Sequence, residues 1–184
     1  MTAGRGIVHS EMPEQEQGLL QGFQLWVNLP RRAKMTAPRY QEYEPGDIPE
    51  ARLADGTLAR VIAGRFAGRQ GPIDAAATEP LYLDLSLAPG SEVPVPIPRG
   101  HKGFAYVFEG TAKIGASGTA VPSGALAVLG DGENLTLRAD ASPARLLVVA
   151  GKPLGEPVAR YGPFVMNTEA EIHQAIRDFQ AGLL

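Results

Sequence analysis

Two residues near the start of the chain, His9 and Glu11, are of types that bind metal ions. They lie two positions apart, and in an extended strand residues i and i+2 point to the same face. An imidazole nitrogen and a carboxylate oxygen would then project side by side. Such a pair is half of a site for a first-row transition metal. The spacing therefore predicts part of a metal site.

The composition favours a β-rich protein of ordinary domain size. The chain has 184 residues, of which 44% are hydrophobic, which suits one domain or one complete domain with part of another. The 22 glycines and 16 prolines recur at short intervals, as in chains of many short strands joined by turns. The absence of cysteine excludes disulfides and thiolate ligands.

The charge and the hydropathy exclude several classes of partner. The net charge of −3 gives no electrostatic case for nucleic acid or for an anionic membrane surface. No apolar run approaches the roughly 18–20 residues that a membrane span needs. The first residues lack the charged and apolar regions of a signal peptide. We therefore expect a cytoplasmic protein without direct contacts to nucleic acid or membrane.

The first part of the chain predicts two strands. Residues 5–11 have the pattern of a strand, and residues 22–29 alternate between apolar and other side chains, which is the stronger signal. In the second segment one face is apolar, and the other carries Gln24, Trp26 and Asn28.

Three connecting segments surround these strands. Residues 13–17 are expected to form a polar loop. Residues 30–34 begin with proline, which favours a short helical turn. Residues 35–50 lack periodicity and contain three prolines, so they are predicted to be a linker.

From residue 51 onward the pattern predicts an antiparallel β domain. Residues 51–53 and 58–63 suit a hairpin about Asp55 and Gly56, a favoured tight-turn pair. The proline-rich residues 91–98 should be extended without forming a central strand. Residues 65–78 are glycine-rich and are expected to form a loop. The other predicted strands are 81–87, 104–109, 111–115, 125–129, 134–138 and 145–150.

One helix is predicted near the end of the chain. Thr168 and Glu171 have the spacing of a capping box, and Gly182 is suited to the exit of the helix. Apolar residues recur at helical spacing between these signals, namely Ile172, Ala175, Ile176, Phe179 and Leu183. The prediction is an all-β domain with a C-terminal helix.

Three stretches together resemble the pirin family of the cupin superfamily. They are residues 9–13 with 22–30, residues 101–110, and residues 161–168. The resemblance implies two cupin barrels in tandem, each a jelly-roll or double-stranded β-helix. On this basis residues 1–34 are predicted to be a remnant of the N-terminal cupin domain. Residues 35–50 would be the linker, and residues 51–184 the C-terminal cupin domain.

The resemblance also implies a metal, usually iron, in the N-terminal barrel. Family members hold the metal with four ligands, a His-x-His pair and then a His and a Glu on a later strand. His9 and Glu11 match the later His and Glu. The chain has three histidines, and none is part of a His-x-His pair. We therefore expect that Met1 is an internal methionine of the family pattern. The chain would then be a truncated product, a partial gene or a misplaced start.

Two functions follow from the resemblance. The first is an iron-dependent quercetin 2,3-dioxygenase, which opens a small aromatic flavonol with molecular oxygen and is impaired here because half of the metal site is missing. Glu11 would either ligate the metal or act as the catalytic base that takes the flavonol hydroxyl proton. The alternative is a non-enzymatic cupin binding module that acts through protein contacts, like the transcription cofactors of the family.

A partial barrel would leave strand edges unpaired and an apolar face uncovered. Residues 1–29 are therefore expected to pack on the C-terminal domain, to pair with another chain through the open edge, or to be poorly ordered.

The C-terminal barrel is predicted to be free of metal. The general cupin pattern places Gly103 where a glutamate ligand is expected and Ala127 where a later histidine is expected. Residues 97–99, Ile-Pro-Arg, occupy the positions of the upstream pair. None of these side chains is a metal ligand.

Four other features are open to two interpretations. His101 is most simply a loop or barrel-mouth histidine, and His173 a structural or solvent-exposed one. Trp26 is expected to pack between the domains or on the other side of the barrel. A basic cluster could dock a partner or a phosphate, although a solvated connector is the simpler interpretation. The cluster consists of Arg31, Arg32, Lys34 and Arg39.

Overall fold

The computed structural model describes residues 1–12, 17–73 and 77–184. The greater part of the polar loop predicted at 13–17, and residues 74–76 of the glycine-rich loop predicted at 65–78, lie outside these residues. The chain forms two compact units. One consists of residues 42–153, and the other combines residues 1–41 with residues 154–184. The predicted domain boundaries at 34 and 50 stay a prediction.

The structure contains short strands, two 3-10 turns and one α-helix within the described residues. The 3-10 turns are Arg31–Ala33 and Pro45–Asp47, and the helix is α1, Glu169–Gln180. The strands are β1 Glu50–Arg52, β2 Leu58–Ala63, β3 Arg65–Phe66, β4 Arg69–Gln70, β5 Leu81–Leu87, β6 Glu92–Pro96, β7 Lys102–Glu109, β8 Thr111–Ile114, β9 Thr119–Pro122, β10 Leu126–Val128, β11 Asn134–Arg138, β12 Ala144–Gly151, β13 Ala159–Tyr161 and β14 Phe164–Met166.

Two antiparallel sheets build the unit of residues 42–153. The larger has the strand order β1-β2-β5-β12-β7-β10, and the smaller has the order β6-β11-β8-β9. Alternate residues of both sheets, such as Leu85, Val95 and Leu137, belong to one hydrophobic cluster. Each fully buried side chain of this size contributes about 1.5–3 kcal/mol. The predicted all-β cupin barrel is therefore confirmed.

The hairpin predicted about Asp55 and Gly56 joins β1 to β2. The backbone N–H of Thr57 donates to Asp55 Oδ1 at 2.9 Å. Gly56 adopts a positive φ of 88°, which glycine reaches at little cost. The turn chemistry in the sequence thus fixes the register of the two strands.

The proline-rich strand β6 lies at the edge of the smaller sheet, as expected. The N–H of Ile97 donates to the carbonyl of Glu133, next to β11 in the chain, at 2.9 Å. Since backbone direction alternates along a strand, the nitrogens of Pro94, Pro96 and Pro98 face away from β11. These positions have no N–H to donate. The outer edge of β6 is therefore poor in hydrogen-bond donors.

The second unit contains α1, the β13–β14 hairpin and the first 3-10 turn. The predicted capping box is present, because Glu171 N donates to Thr168 Oγ1 at 3.2 Å and Thr168 N donates to Glu171 Oε2 at 2.9 Å. Phe179 of α1 meets Phe164 of β14 edge to face, with ring centres 6.2 Å apart. The helix is thereby packed on the hairpin.

The strands predicted at 5–11 and 22–29 are wrong. In the described part of residues 1–49, the only β pairing is an isolated bridge between Thr2 and Arg39. Alternation shows which side chains share a face, but a strand also requires a hydrogen-bonded partner strand. No such partner strand is found for these segments within the described residues.

The last two findings concern the predicted loop at 65–78 and membrane-spanning helices. The segment predicted as a loop at 65–78 contains the short hairpin of β3 and β4. Within the described residues, no helix is both long and apolar enough to span a membrane.

Candidate metal site

His9 and Glu11 are exposed side chains in the segment that follows a turn at Gly4 and Arg5. The residues before that segment, 2–5, are tied to residues 36–39 by backbone hydrogen bonds. Thr2 and Arg39 exchange two of them at 2.8 and 3.0 Å, and Arg5 N donates to the carbonyl of Thr36 at 2.9 Å. The candidate ligands therefore follow an anchored stretch of backbone, although they are not on a strand.

Gln24 holds one oxygen of the candidate carboxylate ligand. Its Nε2 donates to Glu11 Oε1 at 2.9 Å. A hydrogen bond to one oxygen orients the carboxylate and leaves Oε2 as the oxygen that can face a metal. Outer contacts of this kind normally fix the ligands of metal sites.

The donor types of His9 and Glu11 fit a first-row divalent metal, because imidazole and carboxylate together suit iron and its neighbours. Their number is smaller than a closed site needs. Among the residues that the structure describes, no three His, Asp or Glu side chains are grouped closely enough to hold a metal ion. The two residues would therefore hold a metal as part of a larger ligand set.

Two further side chains of residues 22–29 have contacts within the same unit. Arg160 of β13 lies over the indole of Trp26, 5.1 Å from the ring centre, a cation–π arrangement. Asn28 Oδ1 accepts from Lys34 Nζ at 2.7 Å. We call Gln24, Trp26 and Asn28 the polar row, because they occupy every second position and each has a defined partner.

Lys34 is buried, with 5% of its surface exposed. Besides Asn28, its Nζ donates to the carbonyl oxygen of Val165 at 3.1 Å. Burial lowers the pKa of Lys34, and the charges of Glu156 and Glu171 oppose that effect. The interpretation of the basic cluster as a solvated connector is therefore wrong for Lys34, because residues 154–184 cover this part of the chain.

Arg31 joins the same two glutamates from the surface. Its backbone N–H donates to Glu156 Oε2 at 2.6 Å, and its guanidinium lies 3.3 Å from Glu171 Oε1. The same oxygen of Glu156 also accepts from Asn167 Nδ2 at 3.2 Å. Arg31 and Lys34 are thus bound to residues 156–171 by several polar contacts. Within residues 1–29, which were expected to pack on the C-terminal domain, Trp26 has a contact of this kind, with Arg160.

The pKa of Glu171 is lowered overall. Burial alone would raise it, but hydrogen bonds from the Thr168 side chain and from the backbone N–H groups of Asn167 and Thr168, with the charge of Arg31, outweigh that effect. The carboxylate that caps α1 is therefore held in its charged form.

The other two histidines do not join the candidate ligands in a metal-binding cluster, within the residues that are described. His101 is buried in the unit of residues 42–153, and its Nε2 lies 3.0 Å from the carbonyl oxygen of Glu79. Because a carbonyl oxygen only accepts, Nε2 carries the proton. His173 is exposed on α1, as expected.

Gly103 occupies the position where the general cupin pattern has a glutamate. A Cβ at this position would overlap the carbonyl oxygen of Val149 on β12. At the later position, Ala127 packs partly buried against the hydrophobic cluster. The backbone at the first position thus leaves no room for a ligand side chain, and a barrel free of metal stays the prediction.

Sequence reasoning missed Gln24 as the partner of Glu11 and Lys34 as a buried contact of Val165. The signal for Gln24 was its place in the polar row, since a polar residue at every second position implies partners for that face. Lys34 gave no comparable signal, because the carbonyl oxygen that it contacts belongs to a residue far along the chain.

Two protein families match this chain. The family described as "Pirin C-terminal cupin domain" matches residues 82–184, and the family described as "Pirin" matches residues 1–27. Of the three stretches on which the resemblance was based, these matches contain two completely, 101–110 and 161–168, and the third in part.

Individual relatives agree with this assignment. A Pseudomonas aeruginosa protein, whose name provisionally assigns it as a quercetin 2,3-dioxygenase, is 46% identical over 100% of this chain and 66% of its own length. A pirin-like protein of Solanum lycopersicum is also 46% identical, over 99% of this chain and 62% of its own length. The chain therefore spans less than two thirds of either relative.

A solved structure gives the same result for the fold. The crystal structure of a quercetin 2,3-dioxygenase from Acinetobacter baumannii is 38% identical, with a TM-score of 0.79. The match covers 85% of this chain and 54% of that one. The resemblance predicted from the three sequence stretches is therefore confirmed, and the chain belongs to the pirin family of cupin proteins.

Proposed function

We propose that this chain carries one part of the metal site of a dioxygenase that opens flavonols with molecular oxygen. The observation that carries the proposal is the pair His9 and Glu11, with Glu11 oriented by Gln24. The likeness to a solved quercetin 2,3-dioxygenase supports the reaction type. The metal proposed is iron, in keeping with the donor set of imidazole and carboxylate.

Bound iron would polarise the flavonol oxygens and supply redox chemistry with oxygen. The residues of this chain have simpler tasks. His9 would offer a neutral imidazole nitrogen, and Glu11 would offer the carboxylate oxygen that Gln24 does not contact. If Glu11 instead takes the flavonol hydroxyl proton, the same oxygen would be the base. It would then have to lie within hydrogen-bond distance of that hydroxyl group.

The activity of the chain by itself is expected to be impaired. Two ligands with water bind a metal more weakly than a preorganised set of four. Among the described residues, no group of three or more metal-binding side chains could hold a metal ion. We therefore expect iron below one equivalent and little flavonol turnover from the purified chain.

A second candidate function is a binding module that acts through protein contacts in the cytoplasm. The observation that favours it is the exposure of large apolar side chains in residues 1–41. Those with half or more of their surface exposed are Met1, Val8, Met12, Leu19, Leu20, Phe23, Trp26, Val27, Met35 and Tyr40. Exposed apolar surface of this kind is typical of sites of protein association, including self-association.

Metal analysis combined with a quercetin oxidation assay tests the proposal. The purified chain, the His9→Ala variant and the Glu11→Gln variant are each dialysed without oxygen against a fixed concentration of Fe²⁺, and the bound iron is measured. We expect weak binding by the chain that either substitution abolishes. Iron binding that survives both substitutions would reject the assignment of the ligands. One equivalent of iron with turnover would reject the impairment.

A further inference from the structure

We propose that Gln24 is a positioning residue for Glu11, and that the polar row connects this carboxylate to the C-terminal hairpin. The inference rests on the proposed function, because it treats Glu11 as a ligand. Gln24, Trp26 and Asn28 bind no metal themselves. They form the segment through which residues 154–184 support the site.

The contact of Gln24 is suited to orientation. Its amide is neutral, so the hydrogen bond of 2.9 Å to Glu11 Oε1 leaves the negative charge of the carboxylate intact. A lysine or an arginine in the same place would compete with a metal cation for that charge. The hydrogen bond also restricts the rotation of an exposed side chain, which reduces the entropy lost when a metal binds.

Gln24 can orient Glu11 only if its own backbone is held, and the rest of the polar row provides that support. Two positions on, Trp26 lies under the guanidinium of Arg160. Another two positions on, Asn28 accepts from the buried Lys34. Because Lys34 also binds the carbonyl of Val165, residues 24–28 are fixed to the β13–β14 hairpin at two successive points.

Titration with Co²⁺ tests the role of Gln24 in the full chain. Co²⁺ accepts nitrogen and oxygen ligands, and its paramagnetic shift of the His9 ring protons in NMR spectra reports even weak binding. Exposed His173 serves as the internal reference for binding outside the site. The test variant is Gln24→Met, which keeps the length of the side chain and removes the amide. Gln21→Met, at an exposed position of the same segment, is the matched control.

We expect Gln24→Met to weaken Co²⁺ binding at His9 by about 10-fold or more, as for other outer contacts of metal ligands. Gln21→Met should leave the affinity unchanged. The thermal midpoint and the fluorescence of Trp26, the one tryptophan of the sequence, should be the same in both variants. A purely structural role would instead lower the midpoint together with the affinity.

Arg160→Met tests the connection to the hairpin. It should change the emission of Trp26 and weaken Co²⁺ binding by less than Gln24→Met does. Unchanged affinity in Gln24→Met, while His9→Ala abolishes the signal, would reject the positioning role and leave the proposed function intact. Unchanged binding in both His9→Ala and Glu11→Gln would reject the proposed function itself and the positioning role with it.

Discussion

Lys34 donates a hydrogen bond to the carbonyl oxygen of Val165, 131 positions later in the chain, at 3.1 Å. The same ammonium group donates to Asn28 at 2.7 Å, and the lysine is buried. One cation therefore joins the segment after the polar row to the hairpin that precedes α1. This contact is one of several that join residues 1–41 to residues 154–184, which form one compact unit.

Replacement of Lys34 by methionine should destabilise this unit. The variant keeps most of the volume but leaves Asn28 Oδ1 and the carbonyl of Val165 without their donor. An unsatisfied acceptor costs about 1–3 kcal/mol when it is fully buried, and these two acceptors are part-buried. We therefore expect a loss of about 1 kcal/mol in chemical unfolding followed by Trp26 fluorescence. Arg32→Met, at an exposed position of the same turn, is the control, and equal losses in the two variants would contradict the role of Lys34.

Acid should loosen the same unit through Glu171. Burial raises the pKa of Glu171, but hydrogen bonds from Thr168 and the backbone, with the charge of Arg31, outweigh burial and hold the pKa below its usual value in the folded chain. A carboxyl group whose pKa is lower in the folded than in the unfolded chain stabilises the fold at pH values above its unfolded pKa, which is near 4.5. That contribution is lost as the pH falls through the folded pKa.

The measurement is the stability of the unit between about pH 6 and pH 3. The wild-type chain should lose stability across this range more steeply than Glu171→Gln, which has no charge to lose. Glu169→Gln provides the comparison, since Glu169 is exposed in the same first turn of α1. Parallel curves for the wild type and Glu171→Gln would show that the cap does not respond to pH.

The turn between β3 and β4 should be improved by substitution of Ala67. Ala67 and Gly68 both have positive φ angles, 46° and 74°, as in the turns that favour Asn-Gly. An L-residue with a Cβ is strained in this region by about 1–2 kcal/mol, and asparagine tolerates it better. We expect Ala67→Asn to raise the thermal midpoint of the chain.

Ala141→Asn is the control for that substitution, because Ala141 is also exposed and its φ is not positive. It should leave the midpoint unchanged. A lower midpoint for Ala67→Asn would mean that the strain at Ala67 is not relieved by asparagine.

A side chain at Gly103 should destabilise the C-terminal barrel. The added Cβ would overlap the backbone carbonyl oxygen of Val149 in the paired strand, and neither backbone can move far in the centre of a sheet. Overpacking of this kind costs about 1–3 kcal/mol. Gly103→Ala should therefore lower the stability in urea. Gly130→Ala, where the Cβ would point into open space, should not.

Local signals predicted much of the fold correctly. The alternation of β5, the Asp55–Gly56 turn and the capping box of Thr168 and Glu171 each depend on residues close together in the chain. Each has a physical cause that involves only a few neighbouring residues: the alternation of faces along a strand, the conformation of a turn, or an N–H group left unpaired at a helix end. For this reason they were visible without a structure.

Features that depend on distant partners were not predictable in this way. Residues 22–29 show strong alternation, but without a partner strand they do not form one. Lys34 looked like a surface charge, because nothing near it in the sequence indicates the carbonyl of Val165. The pair His9 and Glu11 was recognisable by type, whereas the support from Gln24 depends on how two segments approach each other.

The proline-rich strand β6 also has a consequence for aggregation. Amyloid-like growth requires an exposed strand that offers alternating N–H and C=O groups to an incoming chain. The outward positions 94, 96 and 98 are prolines and provide no such donors. An incoming strand could not form a regular ladder on this edge, so fibril growth from the folded barrel is blocked there by covalent structure, whatever the pH or salt concentration.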